Sequence, residues 1–278
     1  MGLEFNFEEA IARECQRRGY SVRTIGTYIM CVRKFLEFTN KPVQHLSKSD
    51  AHAFLNHLLE RKVAGNTMNV YHMAIRFFLE DILHKNMKLN LKYSRRPEKI
   101  PVFLTKEEVK ALIGKIGNWK HRLMIEVLYG GGLRVSELLN LKVGDLLIEN
   151  SYGFIRQGKG RKDRIFVLSR LCVDKIKNLI EMEKLNDSDY LFITNRYERY
   201  SVRSVQEIVK RATFYAGIKK EVHPHTLRHS FATHLIQNGA SLNEVQTMLG
   251  HKSPETSMVY VHMASPNMIN IKSPLDSL

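Results

Sequence analysis

Four histidines and one arginine fall within the fifteen residues EVHPHTLRHSFATHL (221–235). Pro224 presets the backbone for a first helical turn, so His225 and Arg228, three apart, share one face near the positive end of a helix. That position favours an anion. A guanidinium offers paired donors to a phosphate and an imidazole can give or take a proton, so the pair suits phosphate chemistry. His234, in FATHL, has apolar neighbours and reads as a packed helix histidine, while His223 and His229 stay undecided. The closeness of His223 and His225 raises zinc, but no H-E-x-x-H or C-x-x-C accompanies them, and no metal is expected.

A second arginine, Arg134, follows three glycines in GGLRVSEL. At the opening turn of a helix, beside unpaired backbone N–H groups, it is placed to hold a phosphate bidentately. Glu137, three residues on, shares its helical face and can orient the guanidinium. Lys159 sits between two glycines in RQGKGRKDR, where the backbone can approach a ligand closely and the lysine can swing. Arg161, Lys162 and Arg164 extend this basic patch. In MLGHKSPETSMVYVH, His251 follows a helix-ending glycine and Tyr260 lies nine residues further.

These groups need a scaffold, and the sequence reads as helices up to residue 90. Asn6 with Glu9 opens one to about Arg18, and Ser21 opens the next, whose Ile25, Tyr28, Ile29, Val32, Phe35 and Leu36 form one apolar stripe. Ser47 with Asp50 starts a third to about Lys62, and Asn66 or Thr67 a fourth through Ile82. Residues 85–103 then lose periodicity and hold two prolines and a basic run, which places a basic linker at 91–103 between a helical domain at 1–90 and a second domain at 104–278. Arg95 and Arg96 in this linker are candidate phosphate-backbone contacts. The second domain opens with a Thr105/Glu108 capping box and a helix from about Trp119 to Tyr129. YGFIRQGKGRKDRIFVLS then reads as a β-hairpin with a cationic tip. Helices are expected at 170–184, 201–216, 225–238, 241–249 and 253–262.

The totals agree with a polyanionic partner. Among 278 residues, 43 Lys and Arg against 28 Asp and Glu leave a net charge of +15, with +7 over residues 1–97 and +8 over 98–278. Such an excess gains from counterion release on nucleic acid. Cys15, Cys31 and Cys172 have neither an even count nor a C-x-x-C spacing, so no disulfide framework is expected. No run of about eighteen apolar residues or leader-like N-terminus is present, and the expectation is a cytoplasmic protein without membrane contact.

The motifs G-L-R-x-S-E-L, a lysine in a Gly-flanked hairpin, H-x-L-R-H, L-G-H and a tyrosine nine residues later occur here in that order. From about residue 100 to 265 the chain resembles the catalytic domain of the tyrosine recombinases, or phage integrase family. Its first ninety residues look like that family's core-binding domain. With its short N-terminus it looks most like the Xer group, which resolves chromosome and plasmid dimers in chromosome segregation and cell division. The resemblance implies a mainly α fold with a small β-sheet, a SAM-like core-binding domain and an α+β catalytic domain. It implies that Arg134 and Arg228 grip the scissile phosphate, Tyr260 attacks to give a 3′-phosphotyrosine, His225 acts as base, Lys159 protonates the departing 5′-oxygen, and His251 hydrogen-bonds the phosphate. Glu137 is expected to support them, and Arg95, Arg96, Arg161, Lys162 and Arg164 are the expected DNA contacts.

No cofactor is implied, because the cationic cluster neutralises the phosphate and the phosphotyrosine keeps the energy of the broken bond. The implied partners are double-stranded DNA with a specific site, four protomers passing a C-terminal segment (264–278) between neighbours, and a DNA translocase as accessory. Rival readings are an integrase of a mobile element, a type IB topoisomerase-like relaxing enzyme, a metal-dependent nuclease, and a DNA-binding protein that does not cut.

Overall fold

A computed structural model of the chain describes residues 5–85, 101–156 and 163–250. The chain divides into two units, Met1–Glu98 and Lys99–Leu278. Residues 86–100, which hold all but the last three positions of the expected 91–103 linker, lie outside the described residues, as do the hairpin tip, the helix expected at 253–262 and the tail from 264.

In the first unit the capping residues set the helix starts. The Asn6 side chain accepts from the Glu9 N–H and opens α1 (Phe7–Arg17), Ser21 caps α2 (Val22–Thr39), and Ser47 with Asp50 caps α3 (Lys48–Glu60) reciprocally. The expected stripe of α2 faces inward: Tyr28, Val32 and Phe35 are buried, and Ile25, Ile29 and Leu36 pack at its margins. Fully burying a side chain such as Phe35 contributes about 1.5–3 kcal/mol. The fourth helix differs from expectation. The chain reverses at Lys62 (φ 54°), and α4 (Gly65–Arg76) starts after Ala64 without a side-chain cap, ahead of the Asn66 and Thr67 signals. A π-helical turn at Phe77–Ile82 follows and buries Phe77, Phe78 and Leu79.

The second unit places α5 (Lys106–Gly114), α6 (Trp119–Gly130) and α7 (Val135–Asn140) before a three-stranded antiparallel sheet. Its strands are β1 (Leu146–Leu147), β2 (Tyr152–Ile155) and β3 (Arg164–Val167), paired from Leu146↔Gly153 to Ile155↔Arg164. The helices α8 (Arg170–Glu183), α9 (Val202–Tyr215), α10 (Pro224–Gln237) and α11 (Leu242–Leu249) complete it. Leu112, Leu128, Leu138, Phe166, Ile176, Val209 and Leu227 share one core. A smaller cluster of Phe231, Ala232, Val245 and Leu249 holds α11 against α10. Helix α10 is not the ordinary amphipathic helix its pattern suggests: Thr226, Leu227, Arg228, Ser230, Phe231, Ala232, Thr233 and His234 are all buried, so it runs through the interior. The fold is mainly α with one small sheet. Cys15, Cys31 and Cys172 are buried free thiols, and burial pushes Cys31 and Cys172 up to about 11. No helix among the described residues is long and apolar enough to cross a membrane.

Candidate active site

Three sequence-distant arginines meet at one carboxylate. Helix α6 ends in the glycine run, where Gly132 takes φ +56° and a Cβ would run into the Phe231 ring of α10. Only glycine lets the two segments pass so closely. The next turn brings Arg134 to the start of α7, where Glu137 accepts the Arg134 backbone N–H through Oε2 (2.8 Å) and its Nη1 through Oε1 (2.5 Å). Arg164, first residue of β3, donates Nη2 to Glu137 Oε2 at 2.7 Å. Arg228, one turn into α10, brings Nη1 to 3.6 Å from the same oxygen. Its Nη1 donates to the Gly132 carbonyl and its Nη2 to the Leu249 carbonyl, both at 2.5 Å.

The side chains of Glu137, Arg228 and Arg164 are only 4%, 5% and 8% exposed, and that of Arg134 is 19%. Burial alone would raise the Glu137 carboxyl, but Arg164 and Arg134 outweigh it and hold the group below the usual carboxylate range. Among the described residues, three guanidiniums converge on the one Glu137 carboxylate in a largely buried place. Fixed guanidiniums gathered in this way offer a preorganised place for an anion.

His225 stands at the edge of this cluster, exposed, on the first turn of α10. Partial desolvation, then Arg228 and Arg134, lower its pKa, which favours the neutral ring that can accept a proton. His223 flanks the helix start with its ring exposed, 3.3 Å from the Glu221 carboxylate. His234 is buried with Nδ1 2.8 Å from the Tyr129 hydroxyl, the packed histidine its neighbours suggested.

Residues 102–266 match the phage integrase family. The chain belongs to that family. Residues 7–89 match its N-terminal SAM-like domain. Among relatives of this phage integrase family member are a tyrosine recombinase of Thermosipho africanus, 34% identical over 89% of this chain and 91% of that one. Another is tyrosine recombinase XerA of Thermococcus kodakarensis, 36% identical over 87% and 85%. Among solved structures it is similar to XerH bound to palindromic difH substrate after cleavage, with TM-score 0.75 and 26% identity over 95% and 83% of the two chains. It is also similar to XerA recombinase, with TM-score 0.57 and 30% identity over 95% and 96%. The chain is thus a tyrosine recombinase with Xer-type homologues, an enzyme of DNA breaking and rejoining.

Of the expected site residues in this family member, the structure brings together Arg134, Glu137, His225 and Arg228. Lys159, His251 and Tyr260 lie outside the described residues, as do Arg95, Arg96, Arg161 and Lys162. Arg164 differs from expectation. Instead of extending the basic patch of the hairpin it is turned inward, held by Glu137 and by the Met248 carbonyl (Nη1, 2.5 Å), because β3 packs against the end of α11. No local signal marks that role, since its partners lie 27 and 84 positions away.

Burial, with His225 and Arg228, pushes His229 down to about 4. An unfolded histidine titrates near 6.5, so between those values the unfolded chain binds more protons and stability falls as pH drops. His225 and His234 are shifted in the same direction. Denaturant titrations should show stability lower at pH 5 than at pH 7.5, by at most about 2 kcal/mol for His229. His229→Gln should flatten that slope, and an unchanged slope would mean that this ring is already charged in the folded state.

Proposed function

We propose that this enzyme is a site-specific recombinase of the Xer type that cuts and rejoins duplex DNA through a 3′-phosphotyrosine on Tyr260. The observation that carries the reading is the convergence of Arg134, Arg164 and Arg228 on one buried carboxylate, with His225, whose pKa is lowered, at its edge. A pentavalent phosphorane gains negative charge over a phosphodiester, and guanidiniums fixed in advance stabilise that growth without reorganising. The DNA-bound XerH and the XerA relatives support the same substrate.

In this reading Arg134 and Arg228 bind the non-bridging oxygens. The Tyr260 oxygen attacks phosphorus as His225 takes the phenolic proton, since a phenol near pKa 10 is a weak nucleophile unaided. The bond to the 5′-oxygen breaks with its electron pair, and Lys159 supplies a proton to that oxygen. His251 hydrogen-bonds the phosphate. Reversal with a different 5′-hydroxyl joins strands. The excess of +15 supplies non-specific affinity along the duplex, with Arg95, Arg96, Arg161 and Lys162 as backbone contacts. Four protomers on two duplexes would exchange residues 264–278, a DNA translocase would act as accessory, and the cytoplasmic task would be resolution of chromosome or plasmid dimers.

Nicked duplexes carrying candidate recombination sites, mixed with the protein in EDTA, test this. A protein-DNA adduct on a denaturing gel and a recombinant product are expected. Plasmid relaxation without any recombinant would favour a topoisomerase-like enzyme, and cleavage that stops in the chelator a metal-dependent nuclease.

A further inference from the structure

The Arg164 side chain, 8% exposed, is turned into the second unit, and its hydrogen bonds form part of a closed ring. Its Nη2 donates to Glu137 Oε2, the oxygen that also accepts the Arg134 N–H and lies 3.6 Å from Arg228 Nη1. Its Nη1 donates to the Met248 carbonyl, and Arg228 Nη2 donates to the next carbonyl, Leu249. Two guanidiniums thus grip consecutive carbonyls at the negative end of α11 while both face one carboxylate oxygen. Any shift of the α11 end is felt directly at Arg228.

Two further observations mark the ring as close-fitting. Gly250 ends α11 at φ +62°, and a Cβ there would come 2.8 Å from Arg164 Cδ, so the chain passes the guanidinium stem with no room for a side chain. The Nε of Arg164 is buried without a hydrogen-bond partner among the described residues. Leaving a buried donor unpaired is destabilising, and here it accompanies a guanidinium whose two Nη groups both keep acceptors.

We propose that Arg164 is a positioning residue of the strand-cleavage reaction: it fixes the phosphate-binding pair Arg134 and Arg228, through Glu137, in register with the end of α11. The proposal rests on the recombinase reading above. A lysine at 164 could satisfy one acceptor as a point charge but could not span both with a rigid fork. The groups displaced would be those that bind the transition state, and DNA affinity, supplied by many cations, would stay.

The test compares wild type, Arg164→Lys and Gly250→Ala on one nicked duplex, measuring DNA affinity with its salt dependence, adduct formation under single-turnover conditions, and melting temperature. Folded Arg164→Lys should bind as wild type and form adduct about 10- to 100-fold more slowly, the range expected when a supporting partner is lost. Gly250→Ala, which pushes on the Arg164 stem without removing charge, should show the same split. Folded variants that cleave at the wild-type rate would overturn the proposal. So would affinity falling in step with rate, which would return Arg164 to the DNA-contacting patch. Absence of adduct from wild type itself would instead overturn the recombinase reading and this inference with it.

Discussion

Glu137→Gln is expected to cost the catalytic unit about 3–5 kcal/mol of folding stability, the range for removing one partner of a buried ion pair. The side chain is 4% exposed, and its two oxygens take Arg134 Nη1, the Arg134 N–H and Arg164 Nη2, with Arg228 Nη1 at 3.6 Å. Glutamine fills the same space, so the loss is electrostatic: three guanidiniums lose the carboxylate they share, and the new amide N–H group faces a donor. Denaturant unfolding measures the effect. Added sulfate or phosphate should restore part of it by binding the N state in place of the carboxylate, which a packing defect would not show. A loss below about 1 kcal/mol would mean that water screens the cluster as at a surface. The acid limb should change too. The carboxyl is held below its usual range, so its contribution is complete above the unfolded value near 4.3 and vanishes as pH falls through the folded one. The glutamine variant lacks that limb.

The same carboxylate shows where sequence reading reaches and where it stops. Arg134 and Glu137 are three apart on one helix, so their pairing was visible from spacing alone. The links from Glu137 to Arg164 and Arg228 span 27 and 91 positions and depend on how α7, β3 and α10 pack. Helix starts were legible where a side chain caps them, as at Asn6, Ser21, Ser47 and Thr105. The start of α4 was not, because no side chain caps Ala64 and the reversal is made by the backbone at Lys62. Strand β1 is two residues long, too short for any alternation to register, and exists through its pairing with β2. Helix α10 misled for another reason: Thr226, Ser230 and Thr233 look like a polar face, yet their hydroxyls are satisfied inside the unit, Ser230 by the Thr226 carbonyl and the Leu104 N–H. Polarity marks a solvent face only where hydrogen bonds are not met within the fold.

Tyr260→Phe is expected to abolish the covalent adduct altogether while leaving DNA binding near wild type, and Arg228→Lys to slow adduct formation by about 10²–10³ without abolishing it. In the proposed reaction the phenylalanine lacks the oxygen that becomes bonded to phosphorus, so no residual rate should survive by that route, however well the phosphate is held. The lysine keeps one positive charge in the pocket, but Arg228 at present spans the Gly132 and Leu249 carbonyls with separate nitrogens, 2.5 Å from each. A single ammonium cannot hold both while also meeting a phosphate oxygen, so what it loses is alignment of charge with the transition state. Affinity should change little, and its salt slope by no more than about one unit, because one cation among many contributes at most one phosphate contact. If Arg228→Lys weakened binding as much as it slowed cleavage, the arginine would hold substrate and transition state equally, and the catalytic part of the charge argument would fall on Arg134 alone. An adduct surviving in Tyr260→Phe would place the nucleophile on another residue.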